Sequence, residues 1–419
     1  MAEPQERRDW RLILAVFWIT SLVEGAGVSQ IFALLPAYLR QMGMAEADRL
    51  PFIGIFGALI FVVGMPLVPL WGVWADKYSR KAVIARSAVV EAVVFAGVAL
   101  SGQPWQLALS MLLIGFQLGN TGVMLAGIRD VTPRHRLGTT IALFGASGPI
   151  GFAVGPALAG LLIDGLGTSI ATVFWVSAAL SVGTALLVWF GSREIRPEVV
   201  PTGRILELAY GAVRGVLADP TVVRIFAIFG VAFLASQMSR PYVPVLVERL
   251  VGIGPGLASG IALVAGTAAL VGALMSPLGG VLGDRIGFRP VLIGALALGA
   301  VSLAGMPFAP SLLALAGLAL VFAACASAVS AMVFSLLATE VPAERRSATL
   351  NLVYLPLYAA GIVGPASGGV LVSLGGLSAP FLAGAAVFVV GAAAILRSVR
   401  RGRAGRAEPV APMPDPEGI

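Results

Sequence analysis

The sequence is poor in almost everything a soluble enzyme relies on. It has one cysteine, Cys325, and one histidine, His135, in 419 residues. A lone thiol forms no intrachain disulfide, and one imidazole with one thiol makes no metal site of known spacing. His-Glu-x-x-His, Gly-x-Ser-x-Gly and the Gly-x-x-x-x-Gly-Lys-Ser/Thr phosphate loop are all missing. Their absence removes metal-dependent hydrolysis, nucleophile-elbow chemistry and nucleotide-driven pumping. No catalytic residue, metal or cofactor is expected. Charge is scarce too: Asp, Glu, Lys and Arg make up 12% of the chain, where a soluble domain carries about a quarter. Only Lys77 and Lys81 are lysines, the remaining basic residues being arginine, which has the look of codon usage rather than chemistry.

What is abundant is apolar sequence. Hydrophobic residues reach 58% and mean hydropathy +0.94, in runs long enough to cross the ~30 Å hydrocarbon core at 1.5 Å rise per residue. The 52 glycines and 27 prolines would damage soluble helices but suit transmembrane bundles, where small residues allow close approach. Twelve spans are expected, near 12–38, 52–73, 82–100, 105–128, 137–163, 170–190, 222–247, 257–282, 291–308, 312–337, 348–372 and 381–396. The first follows Arg7, Arg8 and Arg11 and is too long for a signal-peptide core. The domains read as a six-helix half over 1–190, a linker over 191–221 with a surface helix near 205–216, a second six-helix half over 222–396, and a disordered tail over 397–419.

The positive charges decide the orientation. With an even number of spans both termini share a side, and every lysine and arginine except Arg40, Arg49, Arg240 and Arg249 falls on that side or at its helix ends. By the positive-inside rule that side is the cytoplasm. The net charge of +7 therefore reflects membrane insertion, and no nucleic-acid partner is implied.

The two halves repeat. Gly72-x-x-x-Asp76-Lys77-x-Ser79-Arg80-Lys81 follows the second span, and Gly280-x-x-x-Asp284-Arg285-x-Gly287-x-Arg289 follows the eighth, 208 positions later. Gly155-Pro156-x-x-x-Gly160 recurs as Gly364-Pro365-x-x-x-Gly369, and Pro36 as Pro244. Asp130-Val-x-Pro133-x-x-Arg136 is echoed by Glu340-Val-Pro342-x-x-Arg345. Matches in one order at spacings of 208 to 210 mark a duplicated unit in parallel orientation.

These residues resemble the major facilitator superfamily, whose signature loop stands between spans two and three and again between eight and nine. The resemblance covers all twelve spans and points to the branch that exchanges drugs for protons. It implies an all-α polytopic fold of two parallel six-helix repeats around a midplane substrate site, with both termini cytoplasmic. The implied location is a bacterial inner membrane, the protein a monomer in the lipid bilayer that handles a small-molecule substrate. The loops would gate the cytoplasmic side, latching it closed in the outward-facing state. Ser79 and Phe288 depart from the family pattern, at a Gly and a basic position. The Gly148-Pro149-x-Gly151-x-x-x-Gly155-Pro156-x-x-x-Gly160 run in span five, echoed by Gly364, Pro365 and Gly369, is a bending and packing element that resembles the exporters' motif.

Intramembrane charge points at chemistry. Glu24, central in span one, costs at least ~2.5–3.5 kcal/mol to place there and must face a cavity or a partner. A carboxyl able to exchange protons at that depth suits proton coupling or a cationic substrate group; a structural hydrogen-bonded role is the alternative. Arg86 and Glu91 in span three read as an intramembrane network. Arg240 lies in the outer half of span seven, ~12 Å above the level of Glu24, so no direct pair is expected; an outer gate, an anionic substrate or snorkelling are the options. Gln30, Gln117, Asn120, Gln237, Tyr242, Ser330, Tyr354 and Tyr358 are candidate cavity or outer-gate residues. The arginine that drug exporters often carry in span four is replaced by Gly115. The function expected is alternating-access export of lipophilic compounds driven by protons. A carrier for a sugar, amino acid or other metabolite, and a transport-dead sensor or scaffold, stay open.

Overall fold

The computed structural model describes residues 4–197, 200–340, 352 and 355–404. Among the described residues, twelve helices are long and apolar enough to cross a membrane. They are α1 (Trp10–Gln41), α2 (Glu46–Lys77), α3 (Arg80–Leu100), α4 (Pro104–Val131), α5 (Arg134–Gly165) and α6 (Ile170–Gly191) in the first half. The second half has α7 (Val222–Val251), α8 (Leu257–Met275, its helix continuing to Ile286), α9 (Phe288–Phe308), α10 (Leu312–Val333, continuing to Glu340), α11 (Leu355–Gly375) and α12 (Ala379–Arg397). The order of the expected spans is reproduced, with shifted ends. Helix α2 starts at Glu46 rather than 52, because its polar first turn carries Glu46 and Asp48, which favour a helix N-terminus. The last helix runs on to Ala404, beyond the expected boundary at 396; the tail expected to be disordered lies mostly outside the described residues. The linker forms a separate helix, Ile205–Leu217, that packs beside the inner part of α2.

Packing repeats as the sequence does. In the first half α1 packs on α5 and α6, and α3 on α6; in the second α7 packs on α11 and α12, and α9 on α12. The halves then meet along two seams that are each other's counterparts, α2 with α11 and α5 with α8. Valines, leucines and phenylalanines such as Val93, Phe190, Leu313 and Leu374 are exposed on the outside, as expected where lipid tails are the solvent.

The seams close tightest at the end opposite the termini. A Cβ on Gly54 of α2 would lie 2.2 Å from the Pro365 carbonyl oxygen, and one on Gly369 of α11 would lie 2.7 Å from that of Pro51. In the other seam, Cβ atoms on Gly160 and Gly266 would stand 3.2 Å from Ser259 and Ala153. Glycine lets the two backbones touch there, and a side chain would hold the halves apart.

Candidate functional site

The site is built on a broken helix. Helix α4 leaves α-geometry at Ile114–Gln117, a 3₁₀ turn, and resumes at Asn120 after Gly119, which has φ +99°. That conformation favours glycine. Breaking a helix in hydrocarbon exposes carbonyls that must find donors. The Gln117 carbonyl accepts from Ser87 Oγ at 2.9 Å and from Arg86 Nη2 at 3.2 Å, and the Leu118 carbonyl lies 3.5 Å from the same Arg86 nitrogen. The guanidinium also stacks on the Trp71 ring, 3.6 Å from its centroid.

The break aims two amides at α1. Gln117 Nε2 donates to Glu24 Oε1 at 2.6 Å and Asn120 Nδ2 donates to Oε2 at 2.8 Å, so both carboxylate oxygens are engaged. Arg86 is near enough for its charge to act on Glu24. The cation of the site thus comes from α3. Position 115 of α4 could not supply it, since a Cβ on Gly115 would meet the α2 backbone at 2.6 Å. Glu91, 2% exposed, accepts from Ser181 of α6 at a long 3.4 Å.

Helix α5 backs this cluster. It runs as α-helix through Pro149 and Pro156 before a π-turn at Leu161–Gly165. A Cβ on Gly151 would lie 2.2 Å from the Leu22 carbonyl oxygen, and one on Gly155 2.2 Å from that of Ala26. Gly148 and Gly25 are similarly opposed. The motif's glycines press α5 against the turn of α1 that carries Glu24.

Other candidates fall elsewhere. Gln30 is fully buried, bonded to the Gly155 carbonyl and Ser177 Oγ between α1, α5 and α6. Gln237 is buried against Gly364, and Tyr242 is buried in the α2–α11 seam with its hydroxyl against Gly54. These three are packed between helices. Ser330 bonds its own helix at Ala326, and the Tyr358 ring stands 6.0 Å from Phe61 across the halves. Tyr354 lies outside the described residues.

At the terminus side the first signature loop is knitted into its own half. Arg80, 3% exposed, pairs with Asp76 at 2.8 Å and with Asp130 at 2.6 Å. Ser79 caps α3 by accepting from the Ala82 N–H and also bonds Glu194, which takes the Arg80 N–H at 2.9 Å. An anion at a helix N-terminus is favoured, and Ser79 thereby acquires a use that the family's glycine would lack. Lys77 and Lys81 bond the carbonyls of Gly203 and Ser192. Asp284, Arg285 and Arg289 of the second loop are exposed and make no ion pair among the described residues. Gly72 and Gly280 face open space here, while Gly287, with φ +93°, turns the second loop.

At the opposite end, sequence reasoning missed a charge cluster. Glu248 of α7 pairs with Arg40 at 2.5 Å and with Arg49 at 3.1 Å, and Arg249 lies 4.0 Å from Glu46. Arg240 sits between the Phe32 and Phe152 rings, 4.8 and 4.7 Å from their centroids. All four basic residues of this side therefore bridge the halves. A signal was available, since Glu248 follows Arg40, and Arg240 follows Phe32, by the repeat spacing of 208. Residues beside a pseudo-two-fold axis meet their own counterparts.

Comparison with known proteins agrees with this architecture. The sequence profile of the Major Facilitator Superfamily matches residues 17–268 and 225–416. The chain is 31% identical over 305 residues to Multidrug resistance protein MdtG of Citrobacter koseri, covering 72% of this chain and 73% of that one. It is 29% identical to the MdtG of Yersinia enterocolitica, over 75% of each. Among solved structures it is similar in fold to a bacterial homologue of the human lysosomal transporter Spinster in an inward-facing, occupied conformation, with TM-score 0.75, 16% identity and coverage of 96% and 98%. It is also similar to the nucleoside transporter NupG, with TM-score 0.72, 15% identity and coverage of 93% and 99%. Twelve spans, a duplicated half, two signature loops and a profile that runs almost end to end lead to one assignment: the chain belongs to the Major Facilitator Superfamily, a multi-pass transporter of the cell membrane.

Proposed function

We propose that this transporter exports small lipophilic compounds in exchange for protons, by alternating access, with Glu24 as the proton-binding residue. The observation that carries the reading is the midplane carboxyl itself, held by Gln117 and Asn120 on a broken helix with Arg86 beside it. Such an investment of polar groups in hydrocarbon is a functional hypothesis by default. The name multidrug resistance protein, borne by relatives about 30% identical, supports a drug-like substrate.

In the conformation described, the end opposite the termini is closed. With the termini placed in the cytoplasm by the arginine bias, the transporter faces inward. In that state Glu24, held by its two N–H donors, has released its proton to the cytoplasm and can receive a lipophilic cation. Opening outward exposes Glu24 to the more acidic side, where a proton neutralises it and the cation leaves. The return with the proton bound completes one exchange.

The test is proton flux in everted vesicles, acid inside, challenged with a panel of lipophilic cations and neutral drugs. Compound-triggered proton release that is lost in Glu24→Gln, with folded protein retained, is the expected result. Release by no compound, or full gradient-driven accumulation by Glu24→Gln, overturns the assignment and favours a metabolite carrier or facilitator.

A further inference from the structure

Glu91 is a second carboxyl at the depth of Glu24, and the cycle just described leaves it unused. It is 2% exposed. One oxygen, Oε2, has only the 3.4 Å contact from Ser181, and the other, Oε1, has no partner among the described residues. The ionisable surroundings are few. Helix α1 brings Glu24, whose charge reaches Glu91. Helix α3 itself brings Arg86, α6 contains no ionisable residue, and α4 offers only the amides Gln117 and Asn120 at this level. The charged groups of α2 lie at its two ends, Glu46, Asp48 and Arg49 at one and Asp76 and Lys77, beyond Trp71, at the other.

The cluster thus holds two carboxyls and one guanidinium. An ionised carboxyl buried without a cation is strongly disfavoured, so the neutral arrangement contains one proton. Geometry says where it resides. Glu24 has an N–H donor on each oxygen, and Arg86 is anchored toward α4 by the Gln117 and Leu118 carbonyls. Among the described residues Glu91 makes no ion pair and receives no N–H bond as close as the two on Glu24, the Gln117 amide standing farther from it than from Glu24. Gln117 lies against both carboxyls, and its Oε1 has no donor. An amide that gives its N–H to ionised Glu24 keeps that oxygen free for the O–H of a protonated Glu91.

We infer that Glu91 is a second proton-binding site, linked to Glu24 through Gln117, so that the coupling unit is a carboxyl pair rather than one residue. The inference rests on the reading of Glu24 as the exchanging carboxyl. Each carboxyl then sets the proton occupancy of the other, as coupled sites do. Glu91 holds the resident proton while Glu24 is open to the substrate.

The experiment needs no identified substrate. The full-length protein, purified and reconstituted in lipid, is titrated with pH while the infrared carbonyl band of protonated carboxyls is followed. A band present near neutral pH that disappears in Glu91→Gln is expected, with Glu91→Asp restoring it. In Glu24→Gln, the pH at which the band is lost should move by about one unit or more. No band near neutral pH, a band indifferent to Glu91→Gln, or a Glu24→Gln titration that superimposes on wild type overturns the inference. If Glu91→Gln fails to fold, the wild-type band and its response to Glu24→Gln decide the matter alone. The Glu24 reading fails separately, in the flux assay, if Glu24→Gln still couples transport to protons.

Discussion

The two halves share a scaffold and differ in what fills it. At the repeat spacing of 208, Glu24 is matched by Ala232, Arg86 by Gly294, Ser87 by Ala295, Glu91 by Gly299, Gln117 by Cys325 and Asn120 by Ala328. Every polar member of the first-half cluster has a small, mostly apolar counterpart. The correspondence is spatial as well, because a Cβ on Gly299 would lie 3.3 Å from Cys325 and 2.9 Å from Phe388. Helix α4 breaks where α10 runs unbroken from Leu312 to Glu340. A broken helix needs donors for its carbonyls, and Arg86 and Ser87 supply them; an unbroken one needs only close packing. One half therefore holds buried charge at the midplane, and the other packs small, mostly apolar residues tightly at the matching positions.

The sharpest way to break this comparison is to transplant the charge. Gly299→Glu would place a carboxyl where Phe388 stands at 2.9 Å and Cys325 at 3.3 Å. Overpacking and an unpaired buried polar group together cost upwards of ~4 kcal/mol, so little folded protein is expected on size-exclusion chromatography. A well-folded variant with normal thermal stability would mean that the second half tolerates charge as the first does. The α2–α11 seam gives a smaller effect. Gly54→Val puts side-chain atoms onto the Pro365 carbonyl, which should hold the halves apart at that end by ~1–3 kcal/mol. Spin labels at Met42 and Gly252 should then report a dominant separated population and transport should fall to background; an unchanged distance distribution would show the seam to be more compliant than its geometry implies.

How much of this was legible beforehand depended on the kind of signal. Spans, repeat and loops follow from periodicity and spacing, and those were readable. Glu24, Gln117 and Asn120 were each visible as polar residues in apolar runs. Their meeting was not, because it depends on a helix break that only Gly119 hints at. Gln30, Gln237 and Tyr242 show the limit from the other side: a polar residue shielded from lipid can face a cavity or a neighbouring helix, and hydropathy cannot separate the two. The role of Glu248 was hidden because its ion pairs join helix ends distant in sequence, although the spacing that links it to Arg40 was present from the start.

Glu248 also offers the finest test of the division of labour, because it is charge that the second half contributes outside the midplane. It is held between Arg40 and Arg49, and Arg49 is buried, with the Pro36 carbonyl at 3.4 Å as its other contact. In Glu248→Gln both arginines lose their counter-ion, which should weaken the closed end by about 1 kcal/mol, a shift of roughly fivefold in the balance between closed and open populations. The same spin-label pair would read it as a partial redistribution, well short of that in Gly54→Val. Proton-to-substrate stoichiometry should not change, since nothing in the Glu24 cluster touches Glu248. Glu24→Gln should do the reverse, removing coupling while the label distances stay near wild type in the absence of a gradient. If Glu248→Gln altered stoichiometry, the closed end and the midplane would be one coupled device, and the two halves could no longer be assigned separate tasks.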